Sequence, residues 1–181
     1  MRKKDTKNRI RRLALCGLFT AIMLIMGFFE SQLPAGPIPG IKLGLSNSIL
    51  VFVVCMLDIP TAFLLMILKV TLSGFMFGSI SAMMYAFAGG FLSMITMSLL
   101  SRIKGVHIIV ISMAGGMMHN VGQVALAMLI LKTPQLMYYM AVLMGVGLAC
   151  GALSGICADR VIRILKTTEY GRSFSEPRDR D

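Results

Sequence analysis

Charged side chains are scarce in this sequence. Lys, Arg, Asp and Glu together account for 14% of its 181 residues, whereas hydrophobic residues account for 56% and the mean hydropathy is +0.80. Soluble domains carry about 25% charged residues. The composition therefore excludes an ordinary soluble domain and indicates an integral membrane protein.

Motifs that carry enzyme chemistry are also lacking. No G-x-x-x-x-G-K-[ST] sequence is present, so the chain does not hydrolyse ATP through a P-loop. No aspartate pair or DDxxD-like cluster is available to hold magnesium against a diphosphate, and two histidines support no Ser/His/acid or Cys/His set. The long series of titratable groups of a proton-coupled carrier is missing too. We therefore predict a protein that is not an enzyme and that uses no cofactor or metal.

The cysteines follow no ligand or disulfide pattern. None forms a C-x-x-C pair, and no histidine lies at ligand spacing from any of them. All four occur inside apolar runs, which favours free thiols over a disulfide framework or a zinc site. They are Cys16, Cys55, Cys150 and Cys157.

The charges that do occur lie mostly in two tails. The net charge is +10, yet only seven cations and three acidic residues lie between Leu13 and Leu165. Without interleaved aromatics these basic tails do not indicate nucleic-acid binding, and they suit anionic lipid headgroups instead. We predict that residues 1–12 form a frayed basic cytoplasmic tail and that residues 167–181 form a disordered cytoplasmic tail.

The region between the tails, residues 13–166, predicts an all-α bundle of six transmembrane helices. Apolar runs of about 17 to 25 residues can cross a bilayer. The first run follows a basic start but has no A-x-A-like cleavage site, so we interpret it as a retained helix. The predicted spans are Leu13–Phe29, Leu43–Leu57, Thr61–Phe77, Ile80–Leu100, Ile108–Leu131 and Leu136–Ile164.

Cations are distributed unevenly between the two sides of such a bundle. With both termini cytoplasmic, fifteen of the eighteen Lys and Arg residues lie on the inner side. Lys42, Lys69 and Lys132 lie in the membrane or towards its outer face. This asymmetry agrees with the positive-inside rule, and an odd number of spans would place the basic tails on opposite sides.

A proline-rich segment separates the first two spans. Residues 30–47 read ESQLPAGPIPGIKLGLSN, and prolines at 34, 37 and 39 exclude a continuous helix. We predict that Glu30 to Lys42 form an extracytoplasmic lid over a binding site. The alternative is an ordinary surface loop.

Polar residues inside the predicted spans are few and lie mainly between the midplane and the outer surface. Lys69 falls near the middle of its span, and His119 and Gln123 share one helix face. With Asn47, Asn120, Glu30 and Lys42, they predict a pocket for a small amphipathic anion. Three alternatives remain: interhelical hydrogen bonding, neutralisation of Lys69 by Glu30, and an interfacial belt of Tyr85, Tyr138 and Tyr139.

Small residues recur along the predicted spans. Gly147, Gly151 and Gly155 lie four residues apart, as do Gly74 and Gly78, and the two Ala-Gly-Gly sequences at 88–90 and 114–116 lie 26 residues apart. Such stripes let helix backbones approach each other in lipid. We predict helix packing within this chain, with a dimer face as the alternative.

Several of these segments together resemble a known family. IPGIKLGLSN (38–47) after Glu30-Ser31, the Lys69 segment up to FGS (77–79), AGG (88–90) and HNVGQ (119–123) resemble the Gx transporter family. This family is also labelled heptaprenyl diphosphate synthase component I, and the resemblance covers residues 10–166. It is similar to the S components of energy-coupling factor (ECF) transporters, which are six-helix proteins of prokaryotic cell membranes.

The resemblance implies a function and partners. An S component captures a vitamin-like substrate from outside, and a transmembrane coupling subunit with two ABC ATPases powers the import. Docking on the coupling subunit is implied for small residues of the first helix, here Ala14, Gly17 and Ala21, although packing within the chain is an alternative. The family label also implies a second candidate function, an accessory membrane subunit of a heptaprenyl or polyprenyl diphosphate synthase.

Overall fold

The computed structural model of the protein describes residues 2–32 and 45–167, which form six α-helices and no strand. The helices are α1 (Arg2–Gln32), α2 (Leu45–Met56), α3 (Ile59–Phe77), α4 (Ile80–Leu100), α5 (Ile108–Leu131) and α6 (Leu136–Thr167). The predicted all-α architecture is therefore confirmed for the described residues.

The helices alternate in direction, as side-chain contacts at the two ends of α1 show. Near the start of α1, Arg12 forms an ion pair with Asp58, in the turn between α2 and α3. Near its end, the Phe28 ring lies 5.9 Å from the ring of Phe77, at the end of α3. Helices α1 and α3 are therefore parallel, and α2 runs back between their two ends.

Short connections continue this alternation through α6, so the start of α1 and the end of α6 lie at the same end of the bundle. We call this the basic end, because its described cations are Arg12, Arg102, Lys104, Arg160 and Arg163. The opposite end holds the α3–α4 and α5–α6 turns.

Local sequence explains where several helices begin. Asp58 caps α3 by accepting a hydrogen bond from the Thr61 backbone N–H at 3.0 Å, and Pro60 lies in the first turn. Ser79 caps α4 by accepting from the Ala82 N–H at 3.2 Å. His107 Nδ1 accepts from the Ile109 N–H at 3.3 Å and caps α5. These caps satisfy backbone donors that have no partner within the helix.

Helix α2 is short but central. It contacts all five other helices, and it buries Leu50, Val51, Val53 and Val54. The rest of the hydrophobic core comes mainly from α1, α3 and α4, and includes Met23, Leu65, Met66 and Met94.

Glycines set the close packing of α4, α5 and α6. A Cβ atom at Gly147 would lie 2.5 Å from the Gly116 carbonyl oxygen, and one at Gly151 would lie 2.6 Å from that of Ser112. A Cβ at Gly89 would lie 2.5 Å from the His119 carbonyl oxygen. Only glycine permits these backbone contacts, so the prediction of packing within the chain is confirmed at these positions.

Five of the helices are long and apolar enough to cross a membrane, which indicates a multi-pass membrane protein. The sixth, α2, has 12 residues, or about 18 Å of helix at 1.5 Å per residue.

The predicted tail at residues 1–12 differs from the structure, in which α1 begins at Arg2. Ten of residues 2–12 are polar or charged, and the helix of the apolar run that follows extends back through them, since Lys and Arg, which make up most of them, are good helix formers. At the other end α1 continues to Gln32, so Glu30, where the predicted lid begins, belongs to the helix. The rest of the lid and most of the predicted C-terminal tail lie outside the described residues.

Candidate functional site

A cavity of about 410 Å³ lies between the helices, and all six helices contribute to its lining. On α5 the lining residues follow one face, at intervals of three and four from Ser112 to Ala127. The 15 helical steps from Ser112 to Ala127 correspond to about 22 Å at 1.5 Å per residue. The cavity is therefore elongated along the bundle. It reaches the opposite end at Phe77, Gly78 and Leu136.

Lys69 lies at mid-height in this cavity. It is ten residues from the start of α3 and eight from its end. Its Nζ donates a hydrogen bond of 2.6 Å to Oδ1 of Asn47 on α2. The short turn at Asp58 brings the two residues to the same height, since they are equally distant from it along antiparallel helices.

His119 and Gln123 of α5 line the cavity at about the height of Lys69. Gly89 lies so close to them that its Cβ would meet Gln123 Cγ at 2.7 Å. A second, smaller pocket of about 20 Å³ is lined by Lys69, Asn47 and His119 together. That volume suits one water molecule, so these three side chains lie close to one another.

Asn120 both lines the cavity and joins two helices. It faces the cavity, and its Nδ2 donates a 2.6 Å hydrogen bond to the Leu143 carbonyl oxygen on α6. The interpretation of intramembrane amides as interhelical hydrogen-bond partners therefore holds for this residue. Its side chain fixes the spacing of α5 and α6 where the cavity is polar.

The electrostatics of the cavity are one-sided. Among the described residues that line it, Lys69 is the only one with a full charge. A lysine away from bulk water attracts a negative group strongly, because the effective dielectric constant is low. The arrangement can hold an anionic group beside hydrogen-bonding amides and an imidazole. Among the described residues, no group of three or more His, Cys, Asp and Glu side chains could bind a metal ion.

The five predicted site residues that the structure describes all line this cavity: Asn47, Lys69, His119, Asn120 and Gln123. Lys42 and the side chain of Glu30 lie outside the described part, and with them the suggested neutralisation of Lys69 by Glu30.

These residues lie at or beyond mid-height, towards the end opposite the basic end. His119 lies eleven residues from the start of α5 and twelve from its end, and Gln123 lies fifteen and eight residues from them. His119 is thus central in its helix, and the set extends from there towards the opposite end.

The structure adds residues that sequence reasoning missed. Three buried serines, one each from α4, α5 and α6, line the part of the cavity nearest the basic end, which we call its inner part. They are Ser93, Ser112 and Ser154. The periodic face that contains His119 and Gln123 continues to Ser112, and this was the available signal. Tyr85 and Tyr139 also line the cavity, whereas Tyr138 is 84% exposed. The alternative of an interfacial tyrosine belt therefore fits Tyr138 but not the other two.

The small residues of α1 lie on its outer surface. Ala14, Gly17 and Ala21 are exposed, and a Cβ at Gly17 would meet nothing within 4 Å. Within the described part of the chain, these three residues therefore do not form a helix-packing contact.

The fold and the cavity define a multi-pass helical membrane protein with a partly polar central cavity. Residues 19–161 match the family described as heptaprenyl diphosphate synthase component I. The chain belongs to this family, as its motifs predicted. Searches among curated proteins and among solved structures find no significant match.

Proposed function

We propose that this protein is the substrate-binding subunit of an ECF-type ABC importer and that it captures a small amphipathic anion from outside the cell. The observation that carries the proposal is the cavity itself, in which Lys69 lies beside the hydrogen-bonding side chains of Asn47 and His119. A charged lysine inside a membrane protein is costly, and such residues usually serve a ligand or ion.

The proposed orientation places the basic end in the cytoplasm of a prokaryotic cell. The concentration of cations at this end supports the orientation under the positive-inside rule, and with six spans both termini would lie on that side. The cavity then approaches the outer surface near Phe77 and Gly78. The segment that joins Gln32 to Leu45 connects helix ends on this outer side, which is why we assign residues 30–42 the role of a lid.

Coupling to ATP hydrolysis requires partners in this proposal. The exposed small residues Ala14, Gly17 and Ala21 allow a partner helix to approach α1 closely. Only 11% of the apolar part of α1, Arg12–Phe29, is buried against the described residues, so much of its surface is available for contact with a partner. We assign this surface to the transmembrane coupling subunit, which would link the protein to two ABC ATPases.

Lys69→Ala and His119→Ala should each abolish retention of the natural ligand while the protein remains folded. The measurement is mass spectrometry of the small molecules released from purified full-length protein, compared with the wild type. Lys104→Ala removes an exposed cation of the α4–α5 linker and serves as the control. Retention of the same small molecule by both cavity variants would argue against this pocket.

The family description favours a second candidate, an accessory membrane subunit of a heptaprenyl diphosphate synthase. The only described acidic residues with described side chains, Asp58 and Asp159, pair with Arg12 and Arg163 at the basic end, away from the cavity. An accessory subunit would therefore anchor or feed a separate catalytic protein.

Affinity purification from native membranes distinguishes these candidates. Co-purifying ABC ATPases support the importer, a soluble prenyltransferase supports the accessory subunit, and isolation without either indicates a self-sufficient carrier.

A further inference from the structure

The cavity does not end at Lys69 and His119. Its lining continues towards the basic end through Gly115 and Gly151 to Ser112 and Ser154. Ser112 lies seven residues before His119 on the same face of α5, a separation of about 10 Å along the helix. A ligand whose anionic group contacts Lys69 would therefore leave this inner part to another portion of the molecule.

The inner part of the cavity contains buried hydroxyl groups. Ser93 is 6% exposed and Ser112 is 3% exposed, and both line the cavity. Neither hydroxyl forms a hydrogen bond within residues 2–32 and 45–167, and neither oxygen is enclosed by protein, so both are open to the cavity. A hydroxyl that faces a cavity without a protein partner is available to form a hydrogen bond with whatever occupies the cavity.

Glycines create the space around these hydroxyls. A Cβ at Gly115 would lie 3.2 Å from Ser93 Oγ and 2.6 Å from Met97 Cγ. Alanine at Gly151 would bring its Cβ to 2.6 Å from the Ser112 carbonyl oxygen. The absence of these two side chains lets α4, α5 and α6 bring Ser93 and Ser112 to one part of the cavity.

The chemistry of this part differs from that around Lys69. No charged side chain among the described lining residues lies near Ser112, so a second charge on the ligand would have no counter-ion there. Serine hydroxyls both donate and accept hydrogen bonds. They suit an uncharged carbonyl, hydroxyl or amide group.

We infer that Ser112 and Ser93 form an inner subsite for an uncharged hydrogen-bonding group at the far end of an elongated ligand. This inference rests on the proposed function, in which Lys69 binds the anionic end. The ligand class is therefore an elongated monoanion with a neutral polar terminus about two helical turns, or about 10 Å, away.

A matched pair of acids tests the inner subsite. Octanoate and 8-hydroxyoctanoate differ only in the terminal hydroxyl and have a chain length suited to the separation of Lys69 and Ser112. In the full-length protein in lipid nanodiscs, 8-hydroxyoctanoate should bind about fivefold more tightly by calorimetry, because it makes the additional hydrogen bond. Ser112→Ala should reduce this ratio to about one by weakening only the hydroxy acid.

Ser73→Ala is the matched control. Ser73 also lines the cavity, but nearer the opposite end, and its hydroxyl already donates to the Val70 carbonyl oxygen at 3.3 Å. The affinity ratio should not change in this variant. Equal wild-type affinities, no binding of either acid, or a preference that survives both Ser112→Ala and Ser93→Ala would overturn the inference.

Cys150 provides a second measurement without a serine substitution. It lines the inner part of the cavity, whereas Cys157 on the same helix is exposed. The uncharged reagent hydroxyethyl methanethiosulfonate should modify Cys150 more slowly in 8-hydroxyoctanoate than in octanoate, with Cys157 unaffected. Equal slowing of Cys150 modification by the two acids would contradict the proposed inner subsite. Both experiments use the isolated chain, so they do not depend on whether ATPases co-purify.

Discussion

Because Gly147 has no side chain, the backbones of α5 and α6 can approach each other closely. A Cβ at this position would lie 2.5 Å from the Gly116 carbonyl oxygen and 2.6 Å from Asn120 Nδ2. Gly147→Ala should therefore destabilise the protein by about 1–3 kcal/mol, because the two backbones must separate. It should also weaken the Asn120 hydrogen bond to Leu143. The measurement is reversible unfolding of the purified protein in mixed micelles.

Gly145 provides the control for this substitution. It lies on the same helix, and a Cβ there would meet nothing within 4 Å. Gly145→Ala should leave stability unchanged or raise it by about 0.5–1 kcal/mol, since alanine favours the helical conformation. Similar destabilisation by both substitutions would show that loss of glycine flexibility, rather than a contact, is responsible.

The polar residues of the site could be predicted from sequence to different degrees. Lys69 and His119 stand out because ionisable groups inside apolar spans are rare and costly. Ser112 does not stand out, because a helical serine usually bonds its own backbone and therefore costs little in a membrane span. Its role depends on Gly115 and Gly151, whose effect on helix spacing becomes visible only in three dimensions.

At the scale of helices, Asp58 joins three elements. It caps α3 through the Thr61 N–H, ends the turn after α2, and pairs with Arg12 of α1. Asp58→Ala should be about 1 kcal/mol more destabilising than Asp58→Asn, because asparagine retains the cap. Arg12→Ala, which removes only the ion pair, should cost less than about 1 kcal/mol since both partners are partly exposed.

The same unfolding assay compares these three variants. Equal effects of the alanine and asparagine substitutions would assign the stabilisation to the ion pair instead of the cap. A large effect of Arg12→Ala would indicate that the position of α1 depends on this contact.

Helix boundaries show what the sequence pattern can and cannot specify. The apolar runs correctly placed α3, α4 and α5, because Asp58, Ser79 and His107 precede them as capping residues. The span predicted at Leu13–Phe29 lies within α1, whose helix begins earlier, at Arg2, because hydrophobicity marks where lipid begins and not where a helix begins. Helix α2 is short, and its central position follows from tertiary contacts rather than from its length.

At the scale of the whole molecule, packing and polarity have different distributions. Helices α4, α5 and α6 meet through glycine backbones, whereas α1, α2 and α3 fill the core with larger side chains such as Met23 and Leu65. The cavity lies where these two kinds of packing meet, and its polar middle includes Lys69 and His119. A uniformly packed bundle would leave no space beside Lys69 and His119, and burying these polar side chains there would be unfavourable.

The membrane orientation is the last consequence of this architecture. The α4–α5 linker and the α5–α6 turn lie at opposite ends of the bundle, at Lys104 and Gln135 respectively, and both residues are exposed. If the basic end is cytoplasmic, Gln135→Cys should react with a membrane-impermeant thiol reagent in intact cells, in a variant without the native cysteines. Lys104→Cys should react only after the membrane is permeabilised, because the positive-inside rule keeps its linker in the cytoplasm. The reverse pattern would place the cavity mouth inside the cell, where this protein would receive its ligand from the cytoplasm and could not act as an importer subunit.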